Sequence, residues 1–77
     1  MKTIQISLNS IDKVKSFVGA ISKFDNDFDL VSGRYVIDAK SIMGIFSLDL
    51  SKPIDLNILA DGTELDAILE ALNVYLV

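Results

Sequence analysis

The chain has 77 residues, no cysteine, no histidine, 51% apolar residues and a formal net charge of −4. This composition excludes a disulfide framework, a thiolate or imidazole metal centre, and histidine-based proton or phosphoryl shuttling. The basic residues Lys2, Lys13, Lys15, Lys23, Arg34, Lys40 and Lys52 are scattered, so no basic stripe matches a phosphate backbone and no nucleic acid partner is expected.

No apolar run approaches the roughly 18 residues of a membrane span, so no membrane partner is expected. Met1 to Ser7 alternates apolar and polar residues and lacks the apolar centre of a secretion signal. A cytoplasmic location is the expectation, with neither metal nor cofactor. Residues 1–77 read as one domain, since nothing in them has the composition of a linker or a repeat.

Residues 2–8 place Ile4, Ile6 and Leu8 on one face and Thr3, Gln5 and Ser7 on the other, the period of a half-buried strand. Asn9 and Ser10 then offer helix caps. Ile11, Val14, Phe17, Val18, Ile21 and Phe24 follow at helical spacing, predicting an amphipathic helix of about four turns. Asp25-Asn26-Asp27 ends that pattern; with Asp29 it is expected to be a solvated turn, since it lacks the glycine and terminal glutamate of a calcium loop.

Residues 27–38 predict a hairpin around a Ser32-Gly33 turn. A short helix is predicted from Ser41 to about Leu50. After Ser51-Lys52-Pro53, residues Ile54 to Ala60 alternate as a fourth strand. Asp61-Gly62 turns the chain, and Thr63 with Asp66 suggests a capping box. Leu65, Ile68, Leu69, Leu72 and Leu76 then predict a last helix. Tyr35 and Tyr75 are expected to pack.

This βαββαβα order predicts an α+β open-faced sandwich, a four-stranded antiparallel sheet with three helices on one face. Phe17, Ile21, Leu56, Ile58, Leu65 and Leu72 are expected among the most buried residues. The element order alone also suits a ferredoxin-like arrangement.

The segment Ala39-Lys40-Ser41-Ile42-Met43-Gly44 resembles the regulatory-serine segment of HPr, the histidine phosphocarrier of the bacterial sugar phosphotransferase system. Lys40 to Leu50 looks like the second-helix region of HPr from low-GC Gram-positive bacteria, and the resemblance extends over essentially the whole chain. It implies an HPr-like fold. It also implies that Ser41 is a phosphorylation candidate, and that Lys40, Ile42, Met43, Ile45 and Phe46 are partner-binding candidates.

The family carries a Gly-Leu-His-Thr-Arg-Pro-like motif before the first helix. Aligned on Phe17-Val18, Ser10 stands at the histidine position, Asp12 at the arginine and Lys13 at the proline. A phosphoryl carrier needs a ring nitrogen as nucleophile and a cation beside the phosphate. Asp12 supplies the opposite charge.

The resemblance therefore implies a histidine-less HPr-like variant, similar to the catabolite-repression type. Such a protein would be non-catalytic and act by binding a protein partner: the HPr kinase, a transcription regulator or a phosphotransferase component. A carrier using Ser10 as acceptor, or a small ferredoxin-like binding domain, are the alternatives. Gly44 is expected to permit close approach of a partner.

Overall fold

The computed structural model describes residues 1–77. Its elements are β1 (Lys2–Ile6), α1 (Ile11–Ile21), β2 (Phe28–Ser32), β3 (Tyr35–Asp38), α2 (Ile42–Phe46), β4 (Ile54–Ile58) and α3 (Gly62–Ala71), closed by a 3₁₀ turn at Asn73–Tyr75. The predicted α+β architecture, an antiparallel sheet with three helices, is the one observed. The sheet order is β1-β4-β2-β3, and every pairing is antiparallel. A ferredoxin-like sheet keeps its first strand inside. Here β1 lies at the edge and β4 inside, which overturns that alternative.

Alternation decides which face is covered. Ile4, Leu56, Leu30 and Ile37 stand side by side across the four strands. They join Ile6, Phe28, Ile54 and Ile58 in contributing to the core, which Val14, Phe17 and Ile21 of α1, Ile45 of α2 and Ile68 of α3 complete. No buried residue is polar. The other face carries Thr3, Asn57, Asp29 and Asp38 in one row and Gln5, Asp55, Val31 and Val36 in the next.

Several expected boundaries move, each for a local reason. Helix α1 stops at Ile21 rather than Phe24, where the Ser22 hydroxyl donates to the Val18 carbonyl at 2.6 Å. The same carbonyl also accepts the Ser22 N–H at 3.0 Å, so this serine closes the last turn with both of its donors. Helix α2 ends at Phe46, four residues early; the Ser47 hydroxyl donates to the Gly44 carbonyl at 2.6 Å, and Leu48 N–H bonds Ile45 at 3₁₀ spacing. The hairpin loop is Gly33-Arg34, one residue later than expected. Gly33 has φ +60° and no other residue type has positive φ, the pattern of a type II′ turn that suits strand twist.

Asp61, not Thr63, occupies the N-cap of α3, and it makes no side-chain cap bond. The capping box is therefore absent. Leu76 leaves the predicted helical stripe and forms a bridge with Ile6. Leu65 is only half-buried, while Ile68 beside it is fully enclosed. Tyr35 is 69% exposed and does not pack, because its ring stands beyond the last covered row of the sheet edge. Tyr75 does pack: its ring meets Phe17 edge-on at 5.6 Å, and its hydroxyl and that of Ser16 are 2.5 Å apart.

That polar contact is part-buried. Tyr75→Phe keeps the ring contact and removes the hydroxyl. It is expected to cost about 0.5–1.5 kcal/mol. Ser16→Ala should cost a similar amount, and the double variant little more than either. Denaturant unfolding of the cycle measures this; full additivity would mean the hydroxyls do not interact.

The connector into β4 is held by Asp49. Its carboxylate accepts the Ser51 hydroxyl at 2.6 Å and the Ser51 amide at 3.1 Å. These bonds, the hydroxyl first, hold its pKa below the ordinary carboxylate value. The stabilisation is present above that ordinary value and is lost as pH falls through the lowered one.

Candidate functional site

Two serine-capped helix starts carry the residues singled out by sequence. At α1, Ser10 has extended backbone, φ −147° and ψ 158°, and its Oγ accepts Lys13 N–H at 3.1 Å. Its carbonyl accepts Val14 N–H. A serine in this geometry satisfies amides that the helix itself leaves unpaired. Asp12 lies in the first turn, where the helix dipole favours an acid. A transferred phosphoryl group here would meet a carboxylate rather than a guanidinium.

At α2, Ser41 caps the helix with its Oγ accepting Gly44 N–H at 3.2 Å. Ser41 N–H donates to the Asp38 carbonyl at 3.0 Å, which ties the helix start to the end of β3. The Ser41 side chain is exposed. Helices α1 and α2 are in contact.

The candidate partner-binding residues divide by burial. Met43 is 77% exposed and Phe46 41%. Ile42 is half-buried. Ile45 is fully buried in the core, so the expectation that it meets a partner is corrected. In a five-residue helix lying on a sheet, one position must point inward, and Ile45 holds it.

Lys40 is half-buried. Its ammonium donates to the Phe24 carbonyl at 2.7 Å and lies 5.6 Å from the Phe28 ring centre. It joins the loop after α1 to the approach to α2. Gly44 is also closely packed inside the protein, where a Cβ would stand 3.2 Å from both Ile37 Cδ1 and Ser41 Oγ and one of them would have to shift by a few tenths of an ångström. The close approach expected for a partner is made by the protein's own β3.

Besides Tyr35 and Leu76, one more apolar residue expected to be covered is exposed. Ile11 was expected in the buried stripe of α1, yet it is exposed. Its place directly after the cap was the available signal, since a first-turn residue lies at the rim of the packed face. The shallow depressions on the surface are lined by neither Ser10 nor Ser41. No group of three or more acidic, histidine or cysteine side chains is arranged to hold a metal. No helix is long and apolar enough to cross a membrane.

Comparison with known proteins gives the same architecture a family. Residues 13–76 match the PTS-HPr family model, described as the PTS HPr component phosphorylation site. The matched span begins beyond Ser10 and Asp12 and includes all of the α2 segment. The crystal structure of HPr-C-His from Thermoanaerobacter tengcongensis is similar, with 29% identity over 94% of this chain and 90% of that one, at a TM-score of 0.73. The phosphocarrier protein HPr from Bacillus anthracis str. Ames is similar too, with 29% identity over 99% of this chain and 94% of that one, at a TM-score of 0.69. With 64 of its residues inside the family model and this sheet order, the chain belongs to the HPr family.

Proposed function

We propose that this chain is a cytoplasmic, non-catalytic HPr-type interaction module. It binds a protein partner through the exposed side chains of α2 and is regulated by phosphorylation of Ser41. The observation that carries the reading is the absence of histidine from the whole chain, with Ser10 serving as a helix cap and Asp12 next to it but one. A serine ester does not release phosphate as readily as phosphohistidine does. The acid in the first turn adds repulsion to any bound phosphoryl group.

Incubation with enzyme I and phosphoenolpyruvate is therefore expected to leave the protein unmodified. Intact mass measurement checks this, and an acid-labile phosphoryl adduct would overturn it.

Ser41 supports the regulatory half of the reading. It is exposed and lies two residues before exposed Met43 in the chain, with Phe46 one turn beyond Met43. Phosphorylation would add about 1.5 to 2 negative charges and strong acceptor oxygens at that edge. Partners are then selected by charge, a basic surface being favoured and an acidic one repelled. A purified HPr kinase should place an acid-stable phosphate on the protein and none on a Ser41→Ala variant. Equal modification of the variant would remove Ser41 from the proposal. The candidate partners are that kinase, a transcription regulator or another phosphotransferase component.

A further inference from the structure

The two edges of the sheet differ. Along β1, the C-terminal residues cover part of the edge: Ser7 N–H donates to Tyr75, Val77 N–H donates to Gln5, and Leu76 bridges Ile6. The opposite edge is β3, which pairs only with β2. On it Tyr35 is 69% and Val36 63% exposed. An uncovered edge with exposed apolar side chains is a template for another strand.

The direction of its backbone groups follows from the ladder. Ala39 N–H donates to the Phe28 carbonyl at 2.9 Å. Antiparallel partners alternate between bonded and non-bonded pairs. With Leu30 opposite Ile37 and Ser32 opposite Tyr35, Ile37 and Tyr35 turn their groups toward β2. Val36 turns its N–H and C=O outward.

The charges around Val36 select the occupant. Arg34 lies two residues before it and Asp38 two residues after it. Within the hairpin Asp38 stands opposite Asp29, a like-charge pairing that is unfavourable across strands. We propose that β3 pairs antiparallel with β3 of a second copy, about a two-fold axis at Val36. This register places Arg34 of each copy opposite Asp38 of the other, Tyr35 opposite Ile37, and Val36 opposite itself. The two Val36 residues exchange both backbone bonds. Two opposite-charge pairs form on the open face, each offsetting the Asp29–Asp38 repulsion. A parallel arrangement would set Arg34 on Arg34 and Asp38 on Asp38. The contact is short, so the dimer is weak. It uses the sheet edge and does not depend on the α2 reading.

Analytical ultracentrifugation of the full chain tests it. Mass action makes the average mass concentration-dependent, rising from 8.4 kDa toward twice that value between roughly 10 µM and 1 mM. Val36→Pro removes an N–H that β2 does not use, and so spares the hairpin. Arg34→Asp changes an exposed turn residue. Each variant should stay monomeric throughout while keeping the wild-type circular dichroism spectrum. Asp38→Lys alone should also stay monomeric. Mixed with Arg34→Asp at equal amounts, it should recover the wild-type association, because all facing charges are then opposite.

A wild-type protein that stays monomeric throughout this range overturns the proposal. So does a dimer that survives both Val36→Pro and Arg34→Asp, which would mean the copies meet through another face. Those two variants decide the matter even where Asp38→Lys, which loses the Asp38 bond to Lys40 N–H, is unstable.

Discussion

Phe17→Ala is expected to lower the unfolding free energy by about 3–5 kcal/mol. The Phe17 side chain has no solvent exposure and is among the largest fully buried groups of the chain. It sits in the middle of α1, flanked along the helix by buried Val14 and Ile21. Its ring also receives the edge of Tyr75, so truncation removes an aromatic contact from the closing 3₁₀ turn as well as leaving a cavity. Domains of this size have roughly 4–11 kcal/mol in total, and this one has no disulfide to add to that. The variant should therefore lose a large share of its stability, read as a large fall in the urea midpoint. Leu69 provides the contrast. It is half-buried beside fully buried Ile68 and Leu72, and its truncation should stand at the low end, about 2 kcal/mol or less. A loss below about 1 kcal/mol for Phe17→Ala would mean that α1 does not anchor the core.

What the sequence makes legible here is what local periodicity controls. Ile54, Leu56 and Ile58 alternate with Asp55 and Asn57, and all three apolar residues are buried. Val14, Phe17 and Ile21 fall at helical spacing, and all are buried too. The chain ends of elements escape this reasoning because single hydroxyls decide them. Ser22 and Ser47 each add a hydroxyl bond to a carbonyl of the last helical turn that already accepts the serine's own N–H, and a serine in sequence does not announce whether it caps, breaks or faces solvent. Leu76 escapes for another reason: its pairing with Ile6 joins opposite ends of the chain, and no local pattern encodes that.

The candidate site divides along the same line. Both serine caps lie where the helix-start signals put them. The residues of α2 could not be sorted by pattern, because five residues make barely more than one turn. Met43 and Ile45 look alike in sequence, and only the packing of α2 beside β3 separates them. The roles of Lys40 and Gly44 are likewise tertiary, set by the Phe24 carbonyl and by Ile37.

That separation gives the second large effect. Ile45→Lys is expected to unfold the domain. Its site is fully buried and apolar, with no acidic side chain among the buried residues to pair an ammonium. Burying an unpaired charge costs several kcal/mol even after relaxation, which approaches the whole stability of roughly 4–11 kcal/mol. Met43→Lys changes a residue that is 77% exposed and should move stability by no more than about 0.5 kcal/mol. Under the proposed function the order of effects reverses for binding. A lysine at Met43 or Phe46 places a solvated charge where an apolar anchor would meet the partner, and loss of such an anchor commonly costs about 2 kcal/mol or more, some thirtyfold in affinity. Titration of a purified HPr kinase with each folded variant measures this, with thermal unfolding run in parallel. If Met43→Lys and Phe46→Lys bind as the unaltered protein does, α2 is not the docking surface. If they unfold instead, Met43 and Phe46 are part of the core, and the regulatory reading of Ser41 loses the apolar surface beside it.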